Sequence, residues 1–295
     1  MSEPLKAPFP WFGGKSRAAD IIWARFGDVP NYVEPFAGSL ATLLRRPHDP
    51  RTETVNDLDC YLANFWRALA ADPVGVTAAC DWPVNETDLV ARHRWLMAQS
   101  NFRDKMRTDP HFYDVKIAGW WVWGLCSWIG SGWCVQRRTG NQPEQIPHLV
   151  DAGQGILDYL AKLSDRLRRV RVACGEWDCV LSESVTTKHG VTAVMLDPPY
   201  DADEHSVTYS ANSNVGGAVR AWAISNGDNP LMRIALCGYE GEHTMPESWE
   251  CVPWKAQGGY GSQGDGAGRE NAARERIWFS PHCLRPTEAK QATLF

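Results

Sequence analysis

The stretch that decides the fold is V-T-A-V-M-L-D-P-P-Y, residues 191–200. Its first six residues are an apolar run with Gly190 directly before it, a pattern that predicts a buried β-strand. Pro198 and Pro199 then end the strand, because a proline cannot donate a hydrogen bond to a sheet ladder and fixes its own φ. The sequence therefore predicts an acid, a rigid turn and an aromatic ring at the carboxyl end of a strand, where open α/β sheets bind ligands.

Two side chains and one backbone carbonyl in this stretch suit transfer of a group to a planar exocyclic amine such as that of adenine. The lone pair of such an amine is delocalised into the ring, and acceptors that face its two hydrogens favour the tetrahedral nitrogen. The Asp197 carboxylate and the Pro198 carbonyl are two such acceptors. Tyr200 would stack on the base, an interaction worth ~1–3 kcal/mol. The four residues D-P-P-Y are equally compatible with an ordinary strand-ending turn, so the rest of the chain must decide.

Length and composition restrict the class of protein. The chain has 295 residues, of which 44% are hydrophobic, enough for one large domain or a core domain with an insertion. It has neither an apolar run of the ~20 residues that span a membrane nor a signal peptide, so we expect a cytoplasmic protein without a membrane partner. Nine cysteines, none in a C-x-x-C pair, favour free thiols, and we expect no metal site.

The net charge and the local clusters of charge give opposite indications about whether the protein binds DNA. The net charge of −5 counts against a non-specific DNA-binding protein. Local basic clusters nevertheless occur at Arg137–Arg138 and between Arg166 and Arg171, although such runs are more often solvated faces. The balance of charge alone therefore leaves DNA open as a partner.

Two glycine turns open the structured part of the chain. The first, W-F-G-G-K-S at residues 11–16, is not a phosphate-binding loop, because that motif needs glycine at position 9, which is Phe9. Its Lys15 could meet a carboxylate, and Ser16 is expected to cap a helix that ends near Phe26. The second turn, residues 34–39, follows a short strand at 32–33 and precedes a helix at 40–45, an arrangement typical of a cofactor-binding entry.

An acidic residue follows the next strand, which we expect at residues 52–56. Asp57 lies ~20 residues after the glycine turn, where α/β folds bind a pair of ribose hydroxyls. The alternative is that Asp57 or Asp59 caps the helix expected at 60–71. The glycine turn before it favours the ribose role for Asp57.

Residues 73–150 interrupt the alternation of strands and helices. A helix is expected at about 88–107, and residues 117–133 then combine tryptophans with glycines. One interpretation is a core helix followed by a turn. The other is a DNA-recognition insert, in which aromatic rings including Trp133 contact bases while Arg137 and Arg138 contact phosphate.

The alternating pattern returns after the insert. A helix at 152–167 and a strand at 169–174 lead to G-E-W-D at residues 175–178, where an acid and an aromatic ring could hold an adenine. After D-P-P-Y we expect a helix at 215–225, strands at 232–237, 249–254 and 275–279, and a glycine-rich loop at 256–270.

Taken in order, these motifs resemble those of the Dam-type DNA adenine methyltransferases, in which the recognition domain precedes D-P-P-Y. The motifs are W-F-G-G-K, E-P-F-A-G, N-D-L-D with the following N-F-W-R-A-L helix, the aromatic insert, the acid–aromatic pair and D-P-P-Y, and they span about residues 9–200. The resemblance implies an α/β fold, with a Rossmann-like sheet typical of S-adenosylmethionine-dependent methyltransferases. It also implies a discontinuous catalytic domain at 8–72 and 152–283, a mainly helical recognition subdomain at 73–151 and a C-terminal tail at 284–295.

The resemblance also implies a set of site residues. The catalytic residues would be Asp197, Pro198, Pro199 and Tyr200, and the donor would contact Trp11, Gly13, Lys15, Glu34, Phe36, Gly38, Asp57, Glu176, Trp177 and Asp178. Two positions depart from the family pattern. Leu40 replaces the last glycine of F-x-G-x-G, and Glu176-Trp177 replaces Asp-Phe, which makes Asp178 a rival to Glu176.

We therefore expect a monomeric enzyme that transfers a methyl group from S-adenosylmethionine to N6 of an adenine flipped out of double-stranded DNA. Cytosine C5 methylation is excluded, since the chain has no Pro-Cys pair for the nucleophile. Cytosine N4 and a glutamine amide remain alternative acceptors, and a non-catalytic DNA-binding module remains the alternative from another class.

Overall fold

A computed structural model describes residues 5–9, 11, 14–128, 133–134, 153–200, 215–255 and 273–286. Gly13, Arg137, Arg138, the expected loop at 256–270 and most of the expected tail lie outside these residues. The chain divides into two compact units, which we call the first unit (residues 1–55 and 177–295) and the second unit (residues 56–176).

The described residues contain seven strands and nine α-helices. The strands are β1 Asn31–Glu34, β2 Thr52–Asp57, β3 Val170–Cys174, β4 Thr192–Leu196, β5 Met232–Tyr239, β6 Glu250–Pro253 and β7 Glu275–Phe279. The helices are α1 Ala19–Phe26, α2 Ala41–Leu44, α3 Cys60–Ala71, α4 Pro73–Cys80, α5 Glu86–Met97, α6 Phe102–Thr108, α7 Val115–Ser127, α8 Gly153–Leu167 and α9 Val215–Gly227.

The sheet of the first unit has the strand order β2-β1-β4-β5-β7-β6. Strand β1 pairs in parallel with both β2 and β4, so that Val33 lies opposite Thr54 on one side and Val194 on the other. Strand β4 is parallel to β5, whereas β7 runs antiparallel to both β5 and β6. Every residue of β1 and β4 is buried, as expected for parallel strands covered on both faces.

The fold is therefore the mixed α/β class that the sequence predicts, with a Rossmann-like methyltransferase sheet. The expected strand before D-P-P-Y is β4, which begins one residue later than expected, and the expected last strand is β7, with the bounds that were expected. One detail at the start of the chain is wrong. Helix α1 begins at Ala19 with Ala18 as its N-cap and no side-chain cap, so Ser16 does not cap it.

The second unit contains α3 to α8 together with β3. Helix α7 packs closely on α4, because an added Cβ at Gly119 would lie 2.4 Å from the Cβ of Ala79. The expected helix at 88–107 is two helices, α5 and α6, and Asn85 caps the first by accepting from the backbone N–H of Asp88. The unit includes the described part of the expected insert, and the expected boundaries at 73 and 151 stay a prediction.

Among the described ranges, no helix is both long enough and apolar enough to cross a membrane.

Candidate active site

Asp197 lies directly after β4, at the carboxyl end of the strand, as the sequence predicts. Its carboxylate is 23% exposed, so it is neither sealed in the interior nor fully solvated. Pro198 is buried beside it. In the described part of the chain, no hydrogen-bond donor reaches the Pro198 carbonyl. The two acceptors proposed from the sequence are therefore both present at the end of β4.

Lys15 binds the Asp197 carboxylate. Its Nζ lies 2.9 Å from Asp197 Oδ1, and its side chain is only 4% exposed. The ammonium also lies over the rings of Tyr200 and Trp254, 5.2 and 5.6 Å from their centroids. Burial acts to lower the pKa of Lys15, but the carboxylates of Asp197 and Glu275 outweigh it and raise that pKa above its usual value. Lys15 is therefore a charged partner of the strand-end acid.

Tyr200 connects Asp197 to a second acid. Its hydroxyl lies 3.1 Å from Asp197 Oδ1 and 3.1 Å from Glu275 Oε2, and its ring packs edge-on against Tyr239 at 4.6 Å. Burial, followed by the charges of Asp197 and other neighbours, raises the pKa of Tyr200 well above its usual value. The hydroxyl is therefore neutral and has one proton for two carboxylates. The predicted stacking of Tyr200 on a target base stays a prediction.

Sequence analysis did not single out Glu275 as a functional residue. It begins β7 and is 5% exposed, although its strand E-R-I-W-F is otherwise largely apolar. In the ladder Glu275 lies opposite Tyr239, the residue whose ring packs on Tyr200. An acid at a buried position of an apolar strand was the available signal, because a buried carboxylate needs a partner.

Two of the residues predicted to bind the donor meet in the first unit at the second glycine turn. Gly38 has a φ of +47°, and a Cβ there would lie 2.7 Å from Trp11 Nε1. Glycine is required on both grounds, the left-handed backbone and the close approach of the Trp11 indole. Leu40, two residues later, also has a positive φ of 58°, in the left-handed region that its family counterpart glycine adopts readily.

Two further predicted donor residues, Phe36 and Trp177, stack on each other. Their rings are 16° from parallel with centroids 6.3 Å apart, and Trp222 meets the Trp177 ring edge-on. Trp222 was not predicted. Asp178 follows in the same short 3-10 helix and is exposed. Glu34 is buried, and its Oε2 accepts from the Tyr32 hydroxyl at 2.9 Å.

The other two predicted donor residues belong to the second unit. Asp57 is 4% exposed, and its Oδ1 accepts from the backbone N–H of Asp59. Asp59 in turn caps α3 by accepting from the backbone N–H of Tyr61. The capping role thus falls to Asp59 and not to Asp57. Glu176 is exposed. Both donor contacts stay predictions.

Trp133, the described member of the predicted DNA-contacting set, is packed inside the second unit. It is 7% exposed, its indole N–H donates to the carbonyl of Trp121 at 2.9 Å, and its ring covers Gly124. This placement corresponds to the core interpretation of the aromatic stretch. The predicted DNA contact of Trp133 stays a prediction.

All nine cysteines are free thiols. Across the described ranges, no group of three or more His, Cys, Asp or Glu side chains is placed to hold a metal ion.

The first part of the chain is similar to a known protein family. Residues 11–116 match the family model of the D12 class N6 adenine-specific DNA methyltransferases. The matched segment includes the described residues that are predicted to bind the donor, namely Trp11, Lys15, Glu34, Phe36, Gly38 and Asp57. No curated protein matches the chain.

Proposed function

We propose a donor and a mechanism for this chain, which methylates adenine in DNA and whose residues 11–116 match the D12 class N6 adenine-specific DNA methyltransferases. The donor is S-adenosylmethionine, and the acceptor is the N6 amine of an adenine flipped out of double-stranded DNA. The strongest support for the mechanism is Asp197, a partly exposed carboxylate fixed at the end of β4 by an ion pair with Lys15.

Asp197 and the Pro198 carbonyl accept the two amino hydrogens of the target. Accepting both favours a tetrahedral nitrogen, whose lone pair attacks the donor methyl group in line. The nitrogen forms a bond to the methyl carbon as the sulfur–carbon bond breaks, and the amine then loses its extra proton. Pro199 holds the turn rigid, and Tyr200 stacks on the base. The reaction needs no covalent intermediate.

The donor contacts follow the set that the family resemblance implies. In the first unit, Trp11, Gly13 and Lys15 bind its methionine end, and Glu34, Phe36 and Gly38 lie around its methionine and ribose. Trp177, which stacks on Phe36, contacts the donor adenine, and Asp178 is the rival acceptor for the amino group of that adenine. In the second unit, Asp57 binds the ribose hydroxyls and Glu176 is the acceptor for the adenine amino group. The left-handed turn at Gly38, with Trp11 against it, supports the assignment of this turn to ligand binding.

DNA recognition is proposed to be of the Dam type. The recognition subdomain is residues 73–151, inserted before D-P-P-Y, and the enzyme acts as a monomer. Arg137 and Arg138 contact phosphate, and Trp133 takes part in the DNA-binding surface. The order of motifs along the chain supports this assignment, since the aromatic insert precedes Asp197 in the sequence.

Labelled donor tests the chemistry directly. The purified chain is incubated with plasmid DNA and S-adenosylmethionine that is tritiated in its methyl group, and the DNA is digested to nucleosides. We expect the label in N6-methyl-2′-deoxyadenosine. Label in N4-methyl-2′-deoxycytidine, or in protein rather than DNA, would overturn the proposed acceptor. Calorimetry separates the non-catalytic alternative, because a chain that fails to bind donor at millimolar concentration cannot use it.

A further inference from the structure

We infer that Glu275 is a positioning residue for methyl transfer: through the Tyr200 hydroxyl, it controls how much of the Asp197 carboxylate is available to the target amine. This inference deepens the proposed function and rests on Asp197 as the acceptor of an amino hydrogen. Nothing in the D-P-P-Y motif points to Glu275, since it lies 75 residues further along the chain than Tyr200.

The two oxygens of Asp197 have different surroundings. Oδ1 accepts from Lys15 Nζ at 2.9 Å and lies 3.1 Å from the Tyr200 hydroxyl. Among the described residues, no donor contacts Oδ2. Since Asp197 is partly exposed, Oδ2 is the oxygen left for the amine of a bound base. Lys15 and Tyr200 therefore orient the carboxylate by its other oxygen.

The Tyr200 hydroxyl cannot serve both carboxylates at once. It has a single proton, and it lies 3.1 Å from Asp197 Oδ1 and 3.1 Å from Glu275 Oε2. When that proton is donated to Asp197, it withdraws negative charge from the carboxylate and weakens Oδ2 as an acceptor. When it is donated to Glu275, Asp197 keeps its full accepting strength. Glu275 thus supplies the alternative acceptor that lets Asp197 bind the amine strongly.

A second buried acid, Glu53, shows how the contacts of Glu275 differ from those of an acid that is simply neutralised by a neighbouring cation. Glu53 on β2 is 1% exposed and pairs with the guanidinium of Arg46 at 3.2 Å, an ordinary neutralised pair. Glu275 is equally buried, but the hydroxyl donor it contacts is also within reach of the strand-end carboxylate. It also adds to the negative charge that keeps Lys15 protonated. A change at Glu275 is therefore transmitted to Asp197.

A double-mutant cycle tests the inference on the full-length enzyme. Glu275→Gln keeps the shape of the side chain but removes its charge, and Tyr200→Phe removes the hydroxyl while keeping the ring for stacking. We expect Glu275→Gln to lower kcat about 10-fold, the size of coupling usual between contacting groups, because the Tyr200 proton is then donated to Asp197. Tyr200→Phe should lower kcat less, because it loses a contact that orients Asp197 but also removes the proton that weakens the carboxylate. KM for donor and for DNA should stay unchanged. The double variant should be no slower than Tyr200→Phe alone, because Glu275 acts through the hydroxyl that is already missing.

Glu250→Gln is the matched control. Glu250 lies on β6 and pairs with Arg25, so its loss removes a carboxylate from the same unit without touching Tyr200. We expect its melting temperature to fall and its kcat to stay that of the unmodified enzyme. If Glu275→Gln does not fold, Glu275→Asp decides in its place, because it keeps the charge but moves the carboxylate away from the Tyr200 hydroxyl. An unchanged kcat in that variant overturns the inference.

Two outcomes separate the inference from the proposed function. An enzyme that methylates adenine, but whose Glu275→Gln and Tyr200→Phe losses in kcat multiply in the double variant, contradicts the positioning role alone. An unmodified enzyme that labels another acceptor contradicts the proposed function itself. A slower Glu275→Gln variant with unchanged KM and no further loss in the double variant supports both.

Discussion

The two units bury their cations in different ways. In the first unit, Lys15 is 4% exposed and forms an ion pair with Asp197, and Arg46 is paired with Glu53. In the second unit, Arg92 is 7% exposed, and its guanidinium lies over three tryptophan rings, those of Trp123, Trp120 and Trp82, at 4.2, 4.8 and 5.4 Å. None of the ion pairs in the described part of the chain involves Arg92.

This difference distinguishes a site whose hydrogen bonds can change when a substrate binds from a tightly packed structural core. A buried ion pair that also contacts a shared hydroxyl can redistribute its hydrogen bonds when a substrate arrives. A guanidinium held by aromatic faces is stabilised by ring quadrupoles and desolvation, and its contacts have no proton to exchange with a ligand. The first unit therefore has the properties needed for chemistry, and the aromatic cluster of the second unit has those of a structural core.

The largest expected effect comes from breaking the ion pair in the first unit. Lys15→Met leaves the carboxylates of Asp197 and Glu275 without their shared cation. We expect the free energy of unfolding to fall by about 3 kcal/mol, the lower end of the range for a broken buried pair because Asp197 is partly exposed. Chemical denaturation measures it, and methyl transfer should fall as well.

Arg92→Met is the matching change in the second unit. It removes a cation but leaves no buried carboxylate without its partner. We therefore expect the free energy of unfolding to fall by only ~1–2 kcal/mol, the contribution of desolvated cation–π contacts. If Arg92→Met lowers the free energy of unfolding as much as Lys15→Met does, the two buried cations contribute equally to stability. That result would contradict the difference between the two units.

Packing of the second unit can be tested at two helical glycines. Gly119→Ala places a Cβ 2.4 Å from the Cβ of Ala79 and 2.9 Å from its backbone, so α4 and α7 must separate. We expect a loss of about 2 kcal/mol from overpacking. Gly155→Ala on α8 meets nothing within 4 Å and should stabilise the protein by ~0.5–1 kcal/mol. Equal effects of the two substitutions in thermal melts would refute the close packing of α7 on α4.

The smallest expected effects are in the pH dependence of stability, which should differ between the units. Burial between Trp128 and Trp133 lowers the pKa of His93 below 6.5, so its stabilisation is present above pH 6.5 and is lost as the pH falls. Burial raises the pKa of Tyr200 above 10.0, so its contribution is present below pH 10.0 and is lost as the pH rises.

Melting curves across the pH range check both directions. His93→Phe should flatten the acid side of the profile and leave the alkaline side unchanged, whereas Tyr200→Phe should flatten the alkaline side. A His93→Phe variant with the original acid slope would show that another group governs acid stability.

Local sequence was sufficient to predict the bounds of helices and strands whose ends are marked by a proline or a capping residue. Two prolines fix the end of β4, and Asp59 fixes the start of α3, so both elements have nearly the predicted bounds. The break between α5 and α6 was missed because the chain turns at Ala98 to Asn101 without a proline or glycine. Helical periodicity continues on both sides of that turn and hides it.

The site was predictable in its residues but not in its contacts. D-P-P-Y placed Asp197 at a strand end, yet Lys15, which pairs with Asp197, and Glu275, which contacts Tyr200, come from distant parts of the chain. Glu275 reaches Tyr200 because β7 pairs with β5 in a register that puts Glu275 opposite Tyr239. No pattern within β7 specifies that register, so the network could be found only in the folded chain.

At Leu40, too, the sequence predicted only part of what the structure shows. The sequence identified it as a departure from the family's glycine turn. The structure shows that the backbone keeps the left-handed conformation at a cost of roughly 1–2 kcal/mol for a residue with a side chain. The leucine is completely buried, and that burial offsets the strain. Leu40 thus occupies a backbone conformation that a glycine would adopt without strain.

Asp197→Ala, assayed for both chemistry and donor binding, tests the central claim most directly. The variant and the unmodified enzyme are given the same plasmid DNA and labelled donor, and donor affinity is measured by calorimetry on each. We predict that methylation of adenine falls at least ~100-fold, as for the loss of one preorganised hydrogen-bonding group, while donor still binds. Substantial methylation by Asp197→Ala would contradict the account.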